Sequence, residues 1–184
     1  MMPNWNSNSI NIEGPADTIR ALWAAAQPAE GKNGSLLEAM VPIGEWEYDT
    51  AVAAWGTKWD VSLEGLEFVD RDNGRAAITG WADSAWSPPI EAFQTYAEKN
   101  PDVYLELKYF EPGMSFIGVW DSNQGNTVWE VDDSLLLTTE EEDPVLYGLL
   151  EHFNASGWYD TDEEEEVAEE NFEIDVDGNF RVNE

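Results

Sequence analysis

The apolar residues of this chain recur with two periods, and the switches between them mark out most of its elements. Ile10 and Ile12 alternate with Asn11 and Glu13, which is the two-residue period of a half-buried strand over residues 4–13, and Gly14-Pro15 closes it. A helix over 15–27 follows directly. Pro15 pre-sets a helical φ, Asp17 suits the positive end of the helix dipole, and Ile19, Leu22, Trp23 and Ala26 share one face. Pro28 and the Gly31-Lys32-Asn33-Gly34 stretch end it. Residues 28–60 read as a long connection with two short helical pieces, 36–40 and 49–54, leading into Trp55-Gly56-Thr57-Lys58-Trp59-Asp60.

Strands over 66–71 and 75–82 flank Asp72-Asn73-Gly74, where Asn and Gly tolerate the positive φ of a tight hairpin. Ser87 as N-cap and Pro88 in the first turn predict a helix over 88–99, with Ile90, Phe93 and Ala97 inward and Asn100-Pro101 at its end. Residues 103–110, 114–121 and 127–132 read as three further strands. A helix over 145–153 then presents Leu146, Leu149, Leu150 and Phe153, an acid-rich helix is expected near 161–170, and 172–176 with 180–182 forms a terminal hairpin. Taken in order these elements give an α+β, ferredoxin-like two-layer sandwich. Its antiparallel sheet contains strands 4–13, 66–71, 75–82 and 103–110, with helices 15–27 and 88–99 on one face and acidic C-terminal helices and a hairpin added. The expected division is a domain at 1–135 and an acidic extension at 136–184 packed on it.

Composition narrows the classes of function. With 184 residues and 12% aromatic content the chain has the means to bury a core, which an acidic disordered chain lacks. There is no cysteine, so disulfides, Cys nucleophiles and thiolate-bound metals or iron–sulfur clusters are excluded. The first ten residues show neither a basic nor an apolar signal region, and no apolar run reaches the ~18 residues of a membrane span, so the expectation is a soluble cytoplasmic protein with no membrane partner.

Charge changes the picture most. Residues 1–60 hold 8 acids and 3 bases, 61–120 hold 10 and 4, and 121–184 hold 21 and 1, so the net −31 is concentrated in the last third. Adaptation to salt would spread acids over every face. The densest stretch, Asp160 to Asp177, has eleven carboxylates and no base.

Other chemistry is thin. Trp55, Trp59, Trp81 and Trp86 would make a stacking platform for bases only beside a basic groove, and eight bases against 39 acids do not supply one, so no direct nucleic-acid binding is expected. Lys58 reads as a stem packed on rings or paired with Asp60. Asp175-Val176-Asp177-Gly178-Asn179 has its Gly too early for a calcium loop, and the chain ends before a twelfth-position Glu, so it reads as a turn, with no metal site and no cofactor. His152 is the single histidine and no nucleophile or phosphate-loop motif is present, so no enzyme is expected.

Several stretches resemble the YubB-type ferredoxin-like domain of phage and plasmid proteins: Pro3-Asn4-Trp5 with Asn8, Ile10 and Ile12-Glu13-Gly14, then Trp55-Gly56-Thr57-Lys58-Trp59-Asp60, Ala85-Trp86-Ser87-Pro88-Pro89, and Glu111-Pro112-Gly113 with Phe116 and Gly118. The resemblance covers about residues 3–120 and implies a mobile-element origin and the ferredoxin-like fold. It carries over no catalytic residue. The chain departs from the pattern at Asn6, where relatives often have Cys, and beyond about residue 135, which makes the acidic third a specialisation of this protein.

That third suggests mimicry. On the strand at 172–176, Glu173, Asp175 and Asp177 would project outward at intervals of about 6.6–6.8 Å. A globule of this length spans roughly 40 Å, over which duplex DNA, at one charge per ~1.7 Å, carries about 24 charges. The expected partner-binding carboxylates are Glu130, Asp132, Asp133, Glu140, Glu141, Glu142, Asp143, Asp160, Asp162, Glu163, Glu164, Glu165, Glu166, Glu169, Glu170, Glu173, Asp175 and Asp177. The function expected is a phage-encoded DNA-mimic inhibitor of a host DNA- or RNA-binding protein with a basic cleft, foremost a defence nuclease of restriction or CRISPR type. The alternative is a non-enzymatic structural or accessory phage protein whose acidity serves solubility or salt adaptation. A homodimer is left open.

Overall fold

The computed structural model describes residues 4–28 and 34–159, together with the backbone of two short strands at 172–174 and 180–182. The first strand, β1 (Trp5–Pro15), runs straight into α1 (Ala16–Ala26), and the connection carries α2 (Leu36–Met40) and α3 (Tyr48–Trp55). Next come β2 (Leu66–Asp70), β3 (Arg75–Ala85), α4 (Ile90–Lys99), β4 (Tyr104–Glu111), β5 (Phe116–Asp121) and β6 (Gly125–Glu130). A 3-10 turn at Leu135–Leu137 leads to α5 (Pro144–Phe153) and a second 3-10 turn at Ala155–Trp158. The last strands, β7 (Phe172–Ile174) and β8 (Phe180–Val182), pair antiparallel as a separate sheet.

The main sheet has the order β2-β3-β1-β4-β5-β6, every neighbour antiparallel. Its first four strands have the ferredoxin-like order, and β5 and β6 widen it by a hairpin and an edge strand. The β2–β3 hairpin closes at Asn73 and Gly74, both left-handed at φ 60° and 72°, as the Asp-Asn-Gly signal requires. The Gly74 carbonyl then accepts the Ala16 N–H at 2.8 Å, which ties the hairpin to the start of α1.

The register explains which side is core. On β1, the even positions Ile10 and Ile12 lie opposite Leu107 and Leu105 of β4 and Gly80 and Ile78 of β3. These residues pack beneath Ile19 and Leu22 of α1, Leu36 and Leu37 of α2, Trp55 of α3 and Phe93 of α4 in one cluster, so both long helices cover the same face, as expected. Among the described residues, α5 covers part of the other face. There Leu146, Leu149, Leu150 and Phe153 of α5 pack on Phe110, Ile117 and Val131, each buried side chain contributing about 1.5–3 kcal/mol in gross transfer terms.

Three of the boundaries that differ from the sequence reading have an identifiable cause. Strand β3 runs to Ala85 instead of residue 82, because β1 pairs with it along its whole length from Trp5↔Ala85 to Pro15↔Arg75. The sixth strand spans 125–130, not 127–132, because Asp132 leaves the ladder and its Oδ1 accepts the Leu135 N–H at 2.8 Å. Helix α4 starts at Ile90, with Pro89 as N-cap and no capping side chain, because the Ser87 hydroxyl donates across the fold to the Gly56 carbonyl at 2.5 Å. The acid-rich helix expected near 161–170 lies outside the described residues.

Candidate functional site

Of the expected partner-binding carboxylates, Glu130, Asp132, Asp133, Glu140, Glu141, Glu142 and Asp143 lie in described structure with their side chains; Glu173 is placed by backbone alone, on β7. Asp160, Asp162, Glu163, Glu164, Glu165, Glu166, Glu169, Glu170, Asp175 and Asp177 lie outside the described residues. The first seven follow one another along the chain from the end of β6 to the start of α5, and all but the half-buried Asp143 are exposed.

Three of the seven also hold turns. Asp132 Oδ1 accepts the Ser134 hydroxyl at 2.6 Å and the Leu135 N–H at 2.8 Å, and these bonds hold its carboxyl below the usual range. Glu142 Oε2 accepts the Thr139 N–H at 3.0 Å and its hydroxyl at 2.9 Å, with the same direction of shift. Asp143 is the N-cap of α5, its Oδ1 accepting the N–H groups of Val145 at 3.1 Å and Leu146 at 3.0 Å. Glu130, Asp133, Glu140 and Glu141 have no such duty among the described residues. None of the seven is in an ion pair there.

The bases are largely committed elsewhere. Arg20 bridges Asp17 and Asp70, Arg75 pairs with Glu13 at 3.0 Å, and Lys108 pairs with Glu106 at 3.4 Å. Lys58 Nζ lies 4.3 Å from the ring centre of Trp59 and 5.3 Å from that of Trp86. Asp60 is not its partner. Both Asp60 oxygens turn away to the backbone N–H groups of Leu37, Glu38 and Val61 at 2.8–2.9 Å, fixing the start of α2, and burial pushes the Asp60 pKa up against the pull of those bonds.

The structure also gathers four separate stretches at one end of the sheet. Gly56 is left-handed at φ 81°, and a Cβ there would meet Glu91 and the Pro88 carbonyl. Buried Thr57 donates its hydroxyl to the Ala85 carbonyl at 2.9 Å and accepts the Ala85 N–H at 3.1 Å. Trp86, itself at φ 70°, donates its N–H to the Asn4 carbonyl at 2.9 Å. Below them, buried Asn6 and Asn8 bond each other and the Ser84 hydroxyl, leaving Asn6 Oδ1 without a partner among the described residues. Buried Glu111 accepts the Gly113 and Met114 N–H groups in the adjoining turn, where Asn4 closes on Gly113. These are structural anchorages, and they leave aromatic surface exposed above them.

Of the four tryptophans singled out in the sequence, Trp55 is core, its Nε1–H donated to the Val41 carbonyl at 2.9 Å. Trp81 and Trp86 are exposed. The sequence reading gave no binding role to Trp5 or Trp46, each half exposed; Trp46 donates its Nε1–H to the Lys58 carbonyl at 3.0 Å, and the Trp5 ring lies 6.2 Å from Trp59. The signal for Trp5 was its place on β1, out of phase with Ile10 and Ile12. Across the sheet, Trp81 stacks on His152 of α5 with centroids 4.9 Å apart.

Among the described residues no group of three or more His, Asp or Glu is placed to hold a metal ion, and no helix is long and apolar enough to cross a membrane. No curated protein and no solved structure matches the chain. Residues 54–176 match a family of ferredoxin-like domains, and the matched range opens just before the Gly56–Thr57 anchorage and runs through α5 into the acid-rich segment. It therefore includes residues beyond 135 that the sequence reading set apart from the shared domain. Fold and match agree over more than half of the chain, which belongs to the family described as the ferredoxin-like domain in Api92-like protein.

Proposed function

We propose that this protein is a phage-encoded acidic inhibitor of YubB-type descent. It acts in the host cytoplasm and presents carboxylates in place of phosphates to the basic cleft of a host nucleic-acid-binding protein, foremost a defence nuclease. The observation that carries the reading is the asymmetry of charge: 21 acids and one base in residues 121–184, with exposed Glu130, Asp133, Glu140 and Glu141 in no ion pair among the described residues. Pairing of Arg20, Arg75 and Lys108 and the aromatic lodging of Lys58 also support it, since they leave little positive surface for nucleic acid itself. Binding would be driven by charge-assisted contacts and released counterions, and so would weaken with salt.

A second reading, an accessory phage protein acidic for solubility, draws on the capping duties of Asp132, Glu142 and Asp143. Capture of host proteins on the immobilised chain, with duplex DNA as competitor, separates the two. The inhibitor reading expects a nucleic-acid-binding protein that DNA releases. It also expects about tenfold or greater loss of affinity when Glu163, Glu164, Glu165, Glu166, Glu169 and Glu170 are changed to Gln, or when Glu130, Asp133, Glu140 and Glu141 are changed to their amides, at about 1.5–3 kcal/mol per charged contact before salt screening. Retention of capsid or tail proteins, indifferent to DNA and to both sets of substitutions, would establish the second reading instead.

A further inference from the structure

The sheet face opposite the four N-terminal helices carries α5, and beside α5, whose His152 stacks on Trp81, lies a groove of about 410 Å³ lined by Trp5, Trp81, Asp83 and Glu64. The β1–β3 register sets its geometry. Trp5 pairs with Ala85, Ser7 with Asp83 and Ser9 with Trp81, so Trp5 and Trp81 share a face with the Ser7–Asp83 pair between them. At about 3.3 Å per residue, the two tryptophans are set roughly 13 Å apart along the strands. The Ser7 hydroxyl donates to Asp83 Oδ1 at 3.1 Å, and no base pairs with Asp83 or Glu64 among the described residues. Trp5 is 50% exposed and Trp81 45%. Trp5, tilted against Trp59, and Trp81, stacked on His152, each keep about half of their surface open beside a carboxylate that no base pairs with among the described residues, and such a recess favours a flat cation.

The molecule already uses this arrangement next door. Lys58 lies over Trp59 and near Trp86, and the Trp59 ring is 6.2 Å from that of Trp5, whereas no cation lies over Trp5 or Trp81 among the described residues. We propose that the groove between Trp5 and Trp81 seats an arginine side chain of a basic protein partner, the guanidinium stacking on the Trp5 indole and meeting Asp83, with Trp81 walling the far side. Arginine suits the recess better than lysine because its planar fork stacks and bonds a carboxylate at once. A nucleobase would bring phosphates against Asp83 and Glu64, and a second copy of the chain would bring a net charge of −31 against its own. The inference deepens the proposed function, resting on its basic partner and adding a specific anchor to a diffuse attraction.

The test compares two uncharged-spaced peptides of equal charge, one with three arginines and one with three lysines, titrated into the full chain and followed by tryptophan fluorescence and calorimetry. The arginine peptide is expected to bind about tenfold tighter than the lysine peptide. Asp83→Asn, which keeps the bond from Ser7, and Trp5→Ala should each bring the two affinities within about twofold of one another. The Gln substitutions at 163–170 should weaken both peptides equally and leave their ratio unchanged, so a failure of the mimic reading leaves this preference intact and measurable. Equal affinity for the two peptides, a preference that survives Asp83→Asn, self-association through this face, or quenching of the same tryptophans by single-stranded oligonucleotide would overturn the assignment.

Discussion

Carboxylates that look alike in the sequence have separate duties. Asp143 holds the first turn of α5 through Val145 and Leu146, whereas neighbouring Glu140 and Glu141 are simply exposed. Asp143→Ala is expected to cost about 0.5–2 kcal/mol in urea denaturation, while Asp143→Asn, which still accepts those bonds, should stay close to wild type despite losing the charge. If the two variants were destabilised equally, charge and not capping would be the source of the stability. Ser87 teaches the converse. Its place before Pro88-Pro89 has the local form of an N-cap, but Gly56, far away in the chain, offers its hydroxyl a better partner, and no pattern within a few residues reveals that.

The strands and helices were largely legible because alternation and helical spacing report one-sided burial directly. Residues 36–40 form α2 as read, and the hairpin at Asn73-Gly74 follows from its two residues. What an amphipathic stretch does not reveal is which surface receives it. The apolar face of α5 was evident from Leu146, Leu149, Leu150 and Phe153, yet its docking on the far side of the sheet depends on Phe110 and Ile117 being out of phase with the main core. This docking carries a pH dependence. His152 stacks on Trp81, and burial first, then the nearby Lys108 ammonium, lowers its pKa from the ordinary 6.5, with Glu106 pulling the other way. Folding therefore favours neutral His152, a contribution fully present above pH 6.5 and lost as pH falls from there through the folded pKa. Amide exchange of residues 144–153 is expected to quicken over that interval, and His152→Gln should remove the dependence. Unchanged protection of α5 from pH 7 down to the folded pKa would show that the imidazole has no part in holding the helix.

For the molecule as a whole, the acidic surface was legible as a sum and only partly as a site, since composition counts charges without saying which of them hold turns. The tryptophan groove was not legible at all: it needs Trp5, Trp81 and Asp83 on neighbouring strands, and register is a property of two distant segments. The same distance bears on the order of assembly. Strand β1 is the third of six across the sheet, and its partners come much later in the chain, Ala85 facing Trp5 and Phe110 facing Ser7. Made first, it is completed among the last, because loop-closure entropy opposes such remote pairings until the intervening chain has collapsed. Pulsed hydrogen exchange during refolding should find β1 amides protected no earlier than those of β3 and β4; earlier protection would mean that β1 first finds another partner. A strand that must wait in water with both edges unpaired is exposed to pairing with other nascent chains. The polar run Asn6-Ser7-Asn8-Ser9, odd in a central strand, then has a use before the fold exists: it gives the waiting segment little apolar surface to offer a wrong neighbour, and the buried Asn6 and Asn8 are its lasting trace in the finished protein.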